Sequence, residues 1–209
     1  TALPISDKLI ENITPKINNI KVGPYNDEAS DMGPVVSKEA FERINGLIKS
    51  GVEEGANLVV DRRNVDLQGY ENGYFVGPCL FDNVKDNMRI YKEEIFGPVL
   101  SIVRAKTYEE GLKLVKENPY GNGCSIFTRD GDTARNFSNE ANVGMIGVNI
   151  PIPVPVAYFS FGGWKNSIFG GHNAYGMEGI RFYTNIKTIT TKWPKGIREG
   201  AEFKMPILS

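Results

Sequence analysis

Glu94 and Phe96 are the residues whose types and spacing have most to offer chemistry. They lie in Tyr91-Lys92-Glu93-Glu94-Ile95-Phe96-Gly97-Pro98-Val99-Leu100, where a charged turn runs into an apolar stretch ending at Val103. Gly97 can take backbone angles that other residues avoid, and Pro98 fixes its own φ and donates no hydrogen bond. A Gly-Pro entry of this kind would hold a carboxylate and an aromatic ring side by side at the mouth of a buried strand. That pairing suits a ligand with hydroxyls at one end and a flat ring at the other. Glu94 could accept hydrogen bonds from a ribose while Phe96 packs against a heterocycle. Spacing alone favours a plainer reading, a solvated glutamate ahead of a core phenylalanine.

The other chemistry-bearing residues are sparse. The chain has one histidine, His172, in a Gly-rich loop, so a histidine metal site or a Ser/His/Asp triad has little to draw on. It reads as a surface loop residue. A nucleophilic thiol should be partly exposed and near a cation or a helix N-terminus. Cys79 and Cys124 lie among apolar neighbours and read as reduced, core-packing thiols, with no disulfide framework. No Gly-x-Gly-x-x-Gly fingerprint or P-loop occurs. The block Pro155 to Lys165 carries four aromatics among Gly and Pro and could line a pocket wall or pack under a sheet.

With 209 residues the chain can bury one sizeable core, which implies one domain or most of one. Lys and Arg number 24 against 25 for Asp and Glu, which leaves no electrostatic footprint for nucleic acid or an anionic membrane. No run approaches the ~18 apolar residues of a membrane span.

Elements that must position these residues follow from periodicity. Ser6 ahead of Leu9, Ile10, Ile13 and Ile17 predicts an N-capped helix that Pro15 kinks or ends. Ser37 to about Glu54 predicts a second helix with Phe41, Ile44, Leu47 and Ile48 inward and Gly55 as its stop. Strands are expected over 56–60, 79–84, 99–103, 123–128 and 144–150. Helices are expected from a capping box at Thr107 and Glu110, and over 132–141. Alternation of strand and helix at these lengths predicts an α/β fold with a mostly parallel sheet. Residues 151–156 carry three prolines and cannot form a central strand. Ile180 to Thr191 reads as a long strand, either paired with a second subunit or at the edge of the same sheet.

Glu94-Ile95-Phe96-Gly97-Pro98-Val99 resembles the signature of the aldehyde dehydrogenase superfamily, and ordered motifs along the chain agree. Asp31-Met32-Gly33-Pro34-Val35-Val36 is similar to the family's "xxGPhh" segment before a helix. Gly73-Tyr74-Phe75-Val76-Gly77-Pro78-Cys79-Leu80 is similar to its "GYFxxPTL", with Cys79 in place of Thr. Gly144 to Asn149 and Phe161-Gly162-Gly163-Trp164-Lys165-Asn166-Ser167 are similar to "GxhxxN" and "PFGGxKxS". Three details resemble the CoA-acylating methylmalonate-semialdehyde dehydrogenase branch: Asn118 to Gly123, Val148 to Pro155, and Gly179 to Thr184. The loop Ile168 to Asn173 carries no carboxylate where many hydrolytic relatives place a Glu. It departs from the branch at Gly171, commonly Asp, and from the superfamily at Ile168, commonly Gly.

The resemblance implies an aldehyde dehydrogenase catalytic-domain fold, with the sheet flanked by helices. It implies NAD as cofactor and CoA as co-substrate in converting methylmalonate or malonate semialdehyde to propionyl-CoA or acetyl-CoA with loss of CO2. Glu94 would bind the nicotinamide ribose, Phe96 would lie beside the nicotinamide, and Phe161 would line the acyl pocket. The nucleophilic cysteine and most of the cofactor domain would lie upstream of Thr1, and the isolated segment would be inactive. Residues 1–178 would be the distal part of the catalytic domain, 179–193 an oligomerisation strand and 194–209 a tail. A homodimer or homotetramer would form through the 180–191 strand, in the cytoplasm or, in a eukaryote, the mitochondrial matrix. A hydrolytic relative and a non-catalytic dimerisation module of the same fold are the alternatives.

Overall fold

The chain folds into a three-stranded sheet with a helix on each face and a parallel strand pair covered by two further helices. The computed structural model describes residues 3–173 and 175–193. Helix α1 (Leu3–Asn19) lays Ile10, Ile13 and Ile17 against Val60, Leu80 and Ile102. It starts ahead of Ser6, which is buried within it and is therefore no N-cap, and it continues past Pro15 to Asn19. Pro15 and Glu11 are both exposed, so water can satisfy the carbonyl that proline leaves unpaired. The isoleucine contacts hold the helix where propensity would end it.

Helix α2 (Lys38–Glu53) matches its pattern. Ser37 Oγ accepts from the Ala40 amide at 3.2 Å, and Gly55, at φ 92°, ends it in the left-handed region. Its inner face, Ile44, Leu47 and Ile48, is fully buried with Phe81, Ile90 and Ile95. Each such aliphatic side chain contributes about 1.5–3 kcal/mol relative to exposure.

Strands β1 (Asn57–Asp61), β2 (Cys79–Asp82) and β3 (Val99–Ser101) form a sheet in that order, β1–β2 antiparallel and β2–β3 parallel. Helix α3 (Arg89–Lys92) bridges β2 to the Glu94 turn. Helix α4 (Tyr108–Glu117) opens with Thr107 Oγ1 accepting from the Glu110 amide at 3.2 Å. The Glu110 carboxylate returns to the Lys106 amide at 2.7 Å, one residue earlier than a standard capping box. Strands β5 (Gly123–Ile126) and β6 (Met145–Val148) pair in parallel across α5 (Gly131–Glu140), and Leu112, Val115 and Phe137 pack on them. Two short strands, β4 (Tyr120–Gly121) and β7 (Trp164–Lys165), pair antiparallel. The α/β class with helix-flanked sheets holds, and parallel and antiparallel pairings share it.

The expected strand from Ile180 to Thr191 is the main correction. Residues up to Tyr183 belong to helix α6 (Gly176–Tyr183), which spans the expected boundary at 178. Glu178 and Arg181 meet at 2.8 Å with the i,i+3 spacing of a helix face, and Thr184 Oγ1 donates to the Ile180 carbonyl at 2.7 Å. Those local bonds satisfy groups that a strand would leave for a partner. Residues 184–193 are exposed and, among the described residues, pair with no strand. The tail from 194 lies outside the described residues.

Candidate functional site

The Glu94–Phe96 turn is fixed from below. Ile95 is 9% exposed and belongs to the cluster of Ile44, Phe81 and Ile90, while Glu94 and Phe96 on either side are exposed. Phe96 has φ 52°, a left-handed conformation that is rare for a bulky residue and costs of order 1–3 kcal/mol. Gly97 is not left-handed. Its lack of a side chain serves close approach instead, since a Cβ there would stand 2.6 Å from Ile44 Cδ1. Val99 N donates to the Gly97 carbonyl at 2.7 Å, closing a tight turn about Pro98. Cys79 N takes the Pro98 carbonyl at 2.9 Å and joins the turn to β2. The result overturns the plainer reading of Phe96 as a core residue: the ring is 78% exposed.

One contact had no sequence signal. Arg43 Nη1 on α2 donates to the Glu94 main-chain carbonyl at 3.0 Å, fifty-one residues away in sequence. Among the described residues the Glu94 carboxylate itself makes no hydrogen bond or ion pair, whereas neighbouring Glu93 is held by Arg89 at 2.8 Å. A carboxylate left open beside an outward ring, on a strained but anchored backbone, is arranged to accept hydrogen bonds from a ligand.

Phe161 sits on a separate loop. It is half-buried and meets Tyr175 edge-to-face, ring centroids 5.8 Å apart at 81°. No ring contact joins it to Phe96 among the described residues. The structure therefore gives two candidate surfaces, one at the β3 entrance and one on the loop after β6. The aromatic block is an exposed surface rather than a layer under a sheet: Tyr158 is 74% and Phe159 56% exposed.

His172 is half-exposed in its loop, as expected, and it has a partner. Its Nδ1 lies 2.7 Å from Glu178 Oε2, and Arg181 takes the other oxygen at 2.8 Å. The hydrogen bond with His172, helped by the nearby Arg181 charge, holds the Glu178 carboxyl below its usual range. Folding thus brings to the carboxylate-free loop a carboxylate that is already engaged. Both cysteines are free, and burial pushes both thiols up, the reverse of what a nucleophile needs. No group of side chains suited to a metal ion occurs among the described residues.

Residues 3–189 match the aldehyde dehydrogenase family, and the chain belongs to that family. It is 51% identical over 205 residues to a malonate-semialdehyde dehydrogenase of Pseudomonas aeruginosa, covering 98% of this chain and 41% of the relative. It is 47% identical over 199 residues to the mitochondrial acylating methylmalonate-semialdehyde/malonate-semialdehyde dehydrogenase of Bos taurus, covering 95% of this chain and 36% of that one. A crystal structure from Sinorhizobium meliloti 1021, assigned as a methylmalonate-semialdehyde dehydrogenase and complexed with NAD, superposes with a TM-score of 0.90 at 57% identity. That match covers 95% of this chain and 40% of the other. The chain spans about two fifths of the length of these relatives.

Proposed function

We propose that this chain is the C-terminal part of an NAD-dependent, CoA-acylating methylmalonate- or malonate-semialdehyde dehydrogenase. The observation that carries the reading is the Glu94–Phe96 turn, whose open carboxylate and strained, outward ring are seated on buried Ile95. Identity of 47–57% to semialdehyde dehydrogenases supports the substrate class, one of the solved relatives holds NAD, and one curated relative is named acylating. When bound, NAD would supply the hydride acceptor. The residues fit its nicotinamide half: Glu94 would accept from ribose hydroxyls, Phe96 would lie along the ring, and Arg43 would hold the turn through the Glu94 carbonyl. Phe161 would line the acyl pocket.

The engaged state of Glu178 favours release of the acyl group to a thiol over activation of water, because a carboxylate already held by His172 and Arg181 is a poor general base. Residues 184–193, exposed and carrying Ile186 and Ile189, would supply a contact to a second subunit in place of the longer strand. The test is NADH formation from malonate and methylmalonate semialdehyde by the complete polypeptide, with and without CoA. The reading expects CoA-dependent turnover yielding acyl-CoA. Full turnover without CoA, with the free acid as product, would assign a hydrolytic enzyme. No turnover with either semialdehyde would leave a non-catalytic module.

A further inference from the structure

Among the described residues, four other than glycine have a left-handed backbone: Asn83, Phe96, Asn149 and Lys165. Phe96 belongs to the cofactor-side turn. Asn149 and Lys165 stand at the two ends of the loop that carries Phe161, at φ 57° and 53°. Such conformations persist where the surroundings over-determine them, and here polar contacts do so at both ends.

At the first end, Asn149 extends the β5–β6 pairing beyond the strands. Its amide nitrogen donates to the Ile126 carbonyl at 2.8 Å. Its side chain then forms a two-point clamp on Thr128, accepting from the Thr128 amide at 2.9 Å and donating to the Thr128 carbonyl at 3.0 Å. At the second end, the Lys165 ammonium uses all three donors on carbonyls at the C-terminal end of α4, Val115 at 3.2 Å and Lys116 at 3.0 Å in the helix and the C-cap Asn118 at 2.9 Å. Around it, Asn166 N reaches the Pro119 carbonyl at 3.1 Å and Ser167 Oγ accepts from Gly121 N at 3.1 Å. Glycine at 144 admits the returning chain, since a Cβ there would overlap the Gly162 carbonyl oxygen.

Between the anchors the loop has little of its own. Among the described residues, 152–161 make one hydrogen bond, from Phe159 N to the Val156 carbonyl at 3.0 Å, and it stays inside the loop. Most of these side chains are exposed. The place of Phe161 is therefore set by the loop's ends together with its ring contact to Tyr175.

We propose that Asn149 and Lys165 are positioning residues that set aldehyde specificity by fixing both ends of the 150–164 loop, touching neither substrate nor cofactor. The role rests on the semialdehyde dehydrogenase reading. A side chain displaced by an ångström in a pocket wall changes discrimination between substrates more than it changes the reacting groups.

The test uses the complete polypeptide carrying Asn149→Gly, which keeps the left-handed backbone and removes the clamp, or Lys165→Met, which keeps the stem and removes the ammonium. Exchange of the hydrogen-bonded amides at 121, 149, 159 and 166 and steady-state kinetics with a short and a long aldehyde are measured together. Exchange is expected to rise roughly 10-fold in each variant, as a loop held at its ends opens locally. The ratio of kcat/KM between the two aldehydes should shift roughly 10-fold through KM, with kcat and the KM for NAD within about 3-fold. Lys165→Arg, which keeps a cation at the α4 carbonyls, should restore most of the ratio. Unchanged exchange would overturn the proposal, and so would a rise of both KM values in step with a loss of Tm. If Lys165→Met does not fold, Asn149→Gly decides by the same criteria. A complete polypeptide that oxidises no aldehyde would remove the specificity role together with the parent reading. Faster loop exchange in both variants would then still show that these residues fix the loop.

Discussion

The Glu94–Phe96 turn and the Phe161 loop both present aromatic side chains outward, yet they are held by opposite means. Beneath the turn lies the apolar core: Ile95 is buried, Gly97 is pressed against Ile44, and one side-chain hydrogen bond from Arg43 steadies the Glu94 carbonyl. The loop lies over an open surface and is gripped at its ends by Asn149 and Lys165. Burial is non-directional and collective, so the turn should move only when the core moves. End-anchored polar contacts are few and separable, so the loop can change without disturbing the core. A site for an invariant cofactor suits the first construction, and a site for a variable substrate suits the second.

The contrast is broken most severely from underneath the turn. Ile44→Ala removes a fully buried side chain from the cluster that seats Ile95 and should cost about 2–5 kcal/mol by urea unfolding. Cofactor affinity should fall with it while discrimination among aldehydes is kept. Gly97→Ala is the milder version. Its Cβ, 2.6 Å from Ile44 Cδ1, should destabilise by about 1–3 kcal/mol and raise the KM for NAD before that for aldehyde. Phe161→Ala probes the other region. It should leave stability and NAD affinity nearly unchanged and alter the kcat/KM ratio between small and bulky aldehydes roughly 10-fold.

The smallest effect concerns neither region directly. Asp82, 3% exposed, is paired in two places by Arg104, at 2.9 and 2.7 Å, and this holds its carboxyl below the usual aspartate range. A depressed folded-state pKa contributes stability above the unfolded pKa and loses it as pH falls through the folded one. Asp82→Asn should therefore lower Tm by about 2–4 °C at neutral pH, and the gap from the parent should close as both are melted toward pH 2. A gap that stays constant with pH would mean that the ion pair carries none of it.

Much of this arrangement was legible because period and punctuation agree in the sequence. Ser37 and Gly55 bracket α2, Thr107 opens α4, and the β-branched run after Pro98 is the parallel partner of β2. The turn's position was readable from Gly97-Pro98, but its mechanics were not. The strained residue is Phe96, and Gly97 serves by yielding space to a side chain from a distant helix, which no local pattern encodes. For the same reason Arg43 and Lys165 gave no signal, since their bonds span 51 and 47–50 residues. At α6 the failure was one of period. Alternating apolar residues over 180–190 fit a strand, and the Glu178–Arg181 spacing that favours a helix lies at that run's edge.

The account stands on Glu94 serving the cofactor. Its most direct test is titration of NAD into the complete polypeptide and into Glu94→Gln, which preserves shape and removes charge, with the KM for aldehyde measured in parallel. Loss of hydrogen bonds to a charged acceptor should weaken NAD binding or lower kcat roughly 10- to 100-fold, with the KM for aldehyde little altered. Unchanged NAD affinity and kcat in Glu94→Gln would contradict the role assigned to the turn.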